Sequence, residues 1–201
     1  MNTPAHLLLN LALLQSQRLE PQTHSLQSTR TGWWIAAGAL LPDLPMFGFF
    51  LWQTAWVGAP QELIWGDLYF RESWQNLFDV FNSVPLALLG LAISLKLSRR
   101  GPALLFASVL LHCALDLPLH HDDGHAHFQP LSNWRFQSPV SYWDPRHLGW
   151  IGAGFETIVV LGSSIALRAR SKRRWLRAVL VGLCVLSVGG YTAGYVLRMF
   201  S

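Results

Sequence analysis

Five of the eight histidines of this chain lie in one short run, His112-Cys-Ala-Leu-Asp116-Leu-Pro-Leu-His120-His121-Asp122-Asp123-Gly-His125-Ala-His127. Imidazole nitrogen and carboxylate oxygen are the ligands that a borderline divalent ion takes. Zinc is the first candidate, and manganese or iron would accept the same mixture. His112 and Asp116 are four residues apart, which on a helix puts both on one face. A metal set there would lower the pKa of water, with Asp116 or Asp123 as proton acceptor. Further along, Arg135 carries the planar fork that suits a phosphate, or it pairs with Asp144.

The elements that must hold these residues are membrane helices. Of 201 residues, 51% are hydrophobic and 13% charged, too apolar for a soluble domain of this size. Full spans are predicted near 33–58, 77–97, 102–119, 148–168 and 175–198, each near the length that ~30 Å of hydrocarbon demands of a helix rising ~1.5 Å per residue. A shorter apolar helix covers 4–16. The fold class is therefore all-α, a polytopic transmembrane bundle of five spans plus the short helix. Residues 1–201 form one domain, with a His- and Trp-rich external loop at 120–147. Nothing basic precedes the first helix, which argues against a cleaved signal peptide. Cys113 and Cys184 sit within apolar spans and do not suggest a disulfide framework.

Orientation follows from the basic residues. Arg18, Arg30, Lys96, Arg99, Arg100, Arg168, Arg170, Lys172, Arg173, Arg174 and Arg177 fall on one side, eleven of the 15 Lys and Arg, and short cytoplasmic loops carry such an excess. The opposite loops hold Glu62, Asp67, Glu72, Asp122, Asp123 and Asp144 with Trp56, Trp65, Trp74, Trp134 and Trp143. The histidine loop is thus predicted to face the periplasm. The net charge of +4 reports topology and anionic headgroups, and no nucleic-acid motif accompanies it.

Counting outward from the basic ends at helical rise, His6, Asp43, Asn82, His112, Asp116 and Glu156 reach one layer ~15–21 Å above the inner surface. Ionisable groups in a span are expensive and usually serve a purpose. Each has a plainer role open to it. His112 and Asp116 could satisfy only one another, Asp43 could cap the half-helix after Leu41-Pro42-Asp43-Leu44-Pro45, and Glu156 could tie two helices together. The outer histidines could be a solvated loop with adventitious metal affinity.

At these same residues the chain resembles a known family. Thr3-Pro4-Ala5-His6-Leu7, Gly38-Ala-Leu-Leu-Pro42-Asp43, and the His112-x-x-x-Asp116 helix leading into Phe128-Gln-Pro130 are similar to small bacterial inner-membrane proteins described as membrane-bound metal-dependent hydrolases. The core of that family resembles zinc-dependent phospholipase C. The resemblance spans residues 1–143 and implies that His6, Asp43, His112 and Asp116 are metal ligands or their immediate partners. The better-known branch has His-Arg-Gly-x-Thr-His-Ser on the next span, where this chain has Asp79-Val-Phe-Asn82-Ser83. His120, His121, His125 and His127 are then candidate replacement ligands.

Three function classes follow. One is a metal-dependent hydrolase of a phosphoester or related bond in a membrane lipid or lipid-linked substrate, at the periplasmic face of the inner membrane. There Asp116, Asp123 and Arg135 would be the catalytic residues. The second is a transporter of a metal ion or small solute, and the third a scaffold with a metal-binding loop. Small size and the lack of inverted repeats count against transport.

Overall fold

The computed structural model describes residues 1–15, 25–170 and 174–199. Helix α1 (Thr3–Leu14) starts with a proline in its first turn, where the missing N–H costs nothing. Helix α2 (Ser25–Leu40) stops before Pro42, and α3 (Leu44–Leu51) resumes beyond it and runs into a wider turn at Trp52–Val57. Gly58, at φ 71°, ends that turn in a left-handed conformation suited to glycine. The short α4 (Gln61–Leu63) continues as a wide turn over Ile64–Leu68. Then come α5 (Glu72–Phe81), α6 (Val84–Lys96), α7 (Arg100–Asp116), α8 (Gly149–Arg170) and α9 (Arg174–Met199). Among the described residues there is no strand, so the fold is all-α.

Fewer helices are long and apolar enough to cross a membrane than the five expected. Three qualify among the described residues: the α5–α6 segment Glu72–Lys96, Arg100–Leu119 and Gly149–Arg170. A fourth exists if the bent pair Arg30–Leu40 and Leu44–Val57 is one span. That pair bends by 60°, because Pro42 and Pro45 remove two donors from the ladder and clash with the preceding turn. In the last helix the described apolar run is Arg177–Gly190, short of a span. The segment 59–76, expected as a loop, is largely helical, its rings packed with Phe49 against Trp74, Tyr69 and Phe78. Arg18 and the segment 17–24, with Lys172 and Arg173, lie outside the described residues.

Helix α7 is the central element, packed between α2 and α6, with α1 resting on α2, α7 and α8. Its contact with α2 is close because Gly38 has no side chain: a Cβ there would fall 2.2 Å from the Leu105 carbonyl oxygen. Polar groups tie the same three helices. Asn10 Nδ2 donates to the carbonyl and hydroxyl of Ser108, at 2.9 and 2.8 Å, and Ser108 Oγ donates to Ile35 O at 2.7 Å. All are buried, where an unpaired donor is costly. Outward faces are apolar instead. Trp150, Phe155, Ile158, Leu161 and Ile165 of α8 are exposed, with Ile158 at 72%, a stripe suited to lipid and unsuited to water.

The two ends of the bundle differ in chemistry. Trp34 lies against Gly101, Gln15 against Gly32, and Arg170 Nη1 donates to Ala12 O at 2.7 Å, so the described basic residues around 30, 96–100 and 168–174 gather at one end. At the other end three helices break at one level: α2 before Asp43, α5 at Asn82–Ser83, and α7 at Asp116. Asn82 Nδ2 joins two of these breaks by donating to Pro42 O at 3.3 Å, and His127 Nδ1 and Cys113 Sγ both donate to Asn82 O, at 3.0 and 3.3 Å. Broken ladders leave free carbonyls and turn polar side chains inward, and the candidate site is built on them.

Candidate metal centre

Asp116, the last residue of α7, is the hub. Its Oδ1 lies 2.8 Å from His6 Nε2 and its Oδ2 lies 3.0 Å from His112 Nε2. The two imidazoles stack at a centroid distance of 3.6 Å and 13° between planes. His6, His112 and Asp116 are buried, and each offers a ligand atom within 4.8 Å of the other two. Two ligands at ~2.0–2.1 Å on one tetrahedral ion stand ~3.3 Å apart, so these separations need little change to receive one. This group could hold a metal ion.

Hydrogen bonding fits the same reading. His112 Nδ1 donates to the Ala39 carbonyl at 2.9 Å, a bond that fixes the ring and leaves the lone pair on Nε2. That buried Nε2 has no hydrogen-bond partner although Asp116 Oδ2 stands 3.0 Å away, while His6 is hydrogen-bonded to Asp116 through Nε2 and leaves its Nδ1 without one. Such orphaned nitrogens are costly in an apolar interior unless a cation takes them. The C-terminal end of α7 adds a partial negative charge at Asp116, which favours a cation further.

Asp43 closes one side. Its Oδ1 is 3.6 Å from His112 Nε2, and its Oδ2 accepts from Thr3 Oγ1 at 2.5 Å. The sequence reading gave Thr3 only as part of a motif, whereas here it holds Asp43 in place. Glu156, from the same predicted layer, accepts the Asn2 backbone N–H at 3.1 Å. It thereby anchors the start of α1 on α8.

On the other side stands His120. Its Nε2 is 3.5 Å from Asp116 Oδ1 and its Nδ1 is 3.0 Å from Asp123 Oδ2, so it spans the two carboxylates. Burial, the largest influence, and the Met1 ammonium 3.4 Å from Nε2 both work against a charge there, yet Asp116 and Asp123 outweigh them and raise His120 to about 9. Trp143 Nε1 donates to the same Asp123 oxygen at 2.9 Å. Asp123, expected as a proton acceptor at the metal, therefore touches the hub through His120. His125 and His127 follow, with successive centroid distances of 5.9 Å from His120 to His125 and from His125 to His127. Burial, reinforced by the charge of His120, pushes His125 down to about 3. Burial also lowers His127.

Two expected site residues stand elsewhere. His121 turns away to stack on His147 at 3.6 Å, its Nδ1 donating to Ser138 O at 2.6 Å. Arg135 meets neither Asp144 nor the hub. It forms a two-pronged pair with Asp79 at 3.0 and 2.5 Å and also donates to Gly124 O at 2.8 Å. Asp144 instead takes Arg146 and His147. Asp79 is wholly buried and also accepts the Ala126 N–H at 2.9 Å. Sequence reasoning noted Asp79 only beside Asn82, although a carboxylate in an apolar helix is itself a signal that a partner must arrive from elsewhere. Comparison with family models, with curated proteins and with solved structures finds no match to this chain. The likeness to membrane-bound hydrolases therefore rests on its motifs alone.

Proposed function

We propose that the protein is a membrane-embedded, metal-dependent hydrolase of a phosphoester or related bond in a lipid or lipid-linked substrate. The observation that carries this reading is the buried His6–His112–Asp116 group at the end of the bundle opposite the basic residues. His6, His112 and Asp116 would hold the ion, with Asp43 beside them, and zinc fits an imidazole-rich set best. Such an ion supplies Lewis acidity toward a phosphoryl oxygen and lowers the pKa of water toward ~7. The chain's own residues do the rest. Thr3 and Ala39 orient Asp43 and His112, Asp123 orients His120 beside Asp116, and the Asp79–Arg135 pair holds the loop in register.

The segregation of Lys and Arg argues that the histidine loop faces the periplasm of a bacterial inner membrane, the setting of the family it resembles. The 60° bend between α2 and α3 and the layer of polar side chains within the helices favour transport, since broken helices and intramembrane ionisable groups line transporter sites. The metal group lies where helices end, a position better suited to a surface reaction. The test is release of phosphate from phosphorylated lipids and isoprenoid phosphates by reconstituted protein, with and without chelator. Chelator-sensitive release that His112→Ala abolishes is the expected result. No release across the panel, with proteoliposome uptake that depends on Asp43, would replace the hydrolase by a transporter.

A further inference from the structure

The basic end of the bundle carries a groove that the metal centre does not use. It lies between the last turns of α6 and the first turns of α7 and has a volume of about 430 Å³. Its deep end stops where Phe106 packs on Gly90, since a Cβ there would fall 2.4 Å from the ring. At the other end a tight turn joins the two helices: Ser98 takes a left-handed φ of 52°, and Arg99 N donates to Ser94 O at 2.8 Å. Leu91, Leu95, Ala103, Leu104 and Ala107 form the walls. Ser94 stands among them, but its Oγ donates back to Gly90 O at 2.6 Å, so the walls present hydrocarbon.

The mouth of the groove is cationic. Arg99 and Arg100 both border it, and both are exposed. No Asp or Glu lies between Asp79 and Asp116 in the chain, and among the described residues no carboxylate borders the groove. Arg99 gives α7 no side-chain cap, so the open N–H groups of that helix start add partial positive charge at the same place. Depth is marked independently of the arginines. Trp34 of α2 lies against Gly101 and is 40% exposed, as an indole at headgroup level is. The walls run from Leu91 to Ser98 on α6, ~10 Å of helix at ~1.5 Å per residue, within the ~15 Å that one leaflet of a ~30 Å core offers.

We infer that this groove binds one anionic phospholipid, with an acyl chain against α6 and α7 and the phosphate held by Arg99 and Arg100. Any lipid tail fills an apolar groove. Two arginines with no carboxylate beside them select the headgroup: guanidinium forks match phosphate oxygens, and a zwitterionic headgroup brings its own cation to the same spot. The site lies at the end of the bundle opposite His6, His112 and Asp116, and it stands whether or not those residues hold a metal.

The experiment is native mass spectrometry of the full chain, purified in detergent and titrated with phosphatidylglycerol or phosphatidylcholine. Wild type should retain one phosphatidylglycerol and prefer it by roughly 30-fold, about 5-fold for each basic residue at a membrane surface. Arg99→Gln/Arg100→Gln should abolish that preference, and Arg99→Lys/Arg100→Lys, which keeps the charge, should retain most of it. Arg168→Gln/Arg174→Gln removes two other basic residues and should leave the preference unchanged. Ala107→Phe, which fills the groove, should weaken retention of both lipids. Equal retention of the two lipids by wild type would overturn the proposal. So would a loss of preference in Arg168→Gln/Arg174→Gln as large as in Arg99→Gln/Arg100→Gln, which would reduce the effect to overall charge. Displacement of the lipid by inorganic phosphate would show that the groove contributes nothing, and would overturn it too.

Discussion

At the scale of residues, what separates a metal centre from a knot of satisfied polar groups is which nitrogens are left over. His112 commits Nδ1 to Ala39 and leaves a buried Nε2 without a hydrogen bond. A structural histidine would have used both. Asp123 then belongs to the support of the site, so Asp123→Ala should weaken metal binding by ~10–100-fold and leave the ion bindable, as read by competition with a fluorescent chelator. Full loss of the ion would make Asp123 a direct ligand. Arg135 has a different weight. It is a third exposed and its partner Asp79 is wholly buried, so Arg135→Ala strands a buried carboxylate and should cost about 3–5 kcal/mol of stability. Arg135→Gln with Asp79→Asn should recover most of that, and thermal unfolding in detergent measures it. An unchanged melting temperature in Arg135→Ala would leave the guanidinium free for an anion after all. Much of the site was legible in the sequence, because charged and imidazole groups in apolar helices are expensive wherever they occur: His6, Asp43, His112 and Asp116 do meet. The Arg135–Asp79 pair was not legible, since it joins residues 56 apart across a loop whose path no local pattern encodes.

At the scale of elements, the site exists because α2, α5 and α7 all break at one level and α1 slots in beside them. Hydropathy finds apolar runs and counts 33–58 as one span; Pro42 and Pro45 mark a break in its ladder from the sequence, and what they do not give is the 60° bend that follows. The aromatic helical turns over 61–68 were missed for a related reason, because Trp, Tyr and charged residues there read as a headgroup-level loop. Close approach of α2 to α7 rests on Gly38, which no single-sequence pattern marks as a contact. Gly38→Val should push a side chain into the Leu105 carbonyl. The expected cost is about 1–3 kcal/mol, the range for overpacking, together with weakened metal binding because Ala39 moves off His112. Gly154→Ala, which meets nothing within 4 Å, is the silent control. Equal metal affinity in both variants would show that α2 does not set the ligand geometry.

At the scale of the whole molecule, the bundle has a basic end and a histidine end, and its flanks are apolar. Cysteine-accessibility labelling should find position 130 outside and position 99 inside, and a cytoplasmic signal at 130 would reverse the orientation and the face from which substrate arrives. The central claim, that His6, His112 and Asp116 form a metal centre, is tested most directly by the metal content of detergent-purified protein compared with His112→Ala and Asp116→Ala. The account predicts a tightly held, stoichiometric ion in wild type, Asp116→Ala stripped and His112→Ala depleted. Wild type free of metal, or both variants as fully loaded as wild type, would contradict it.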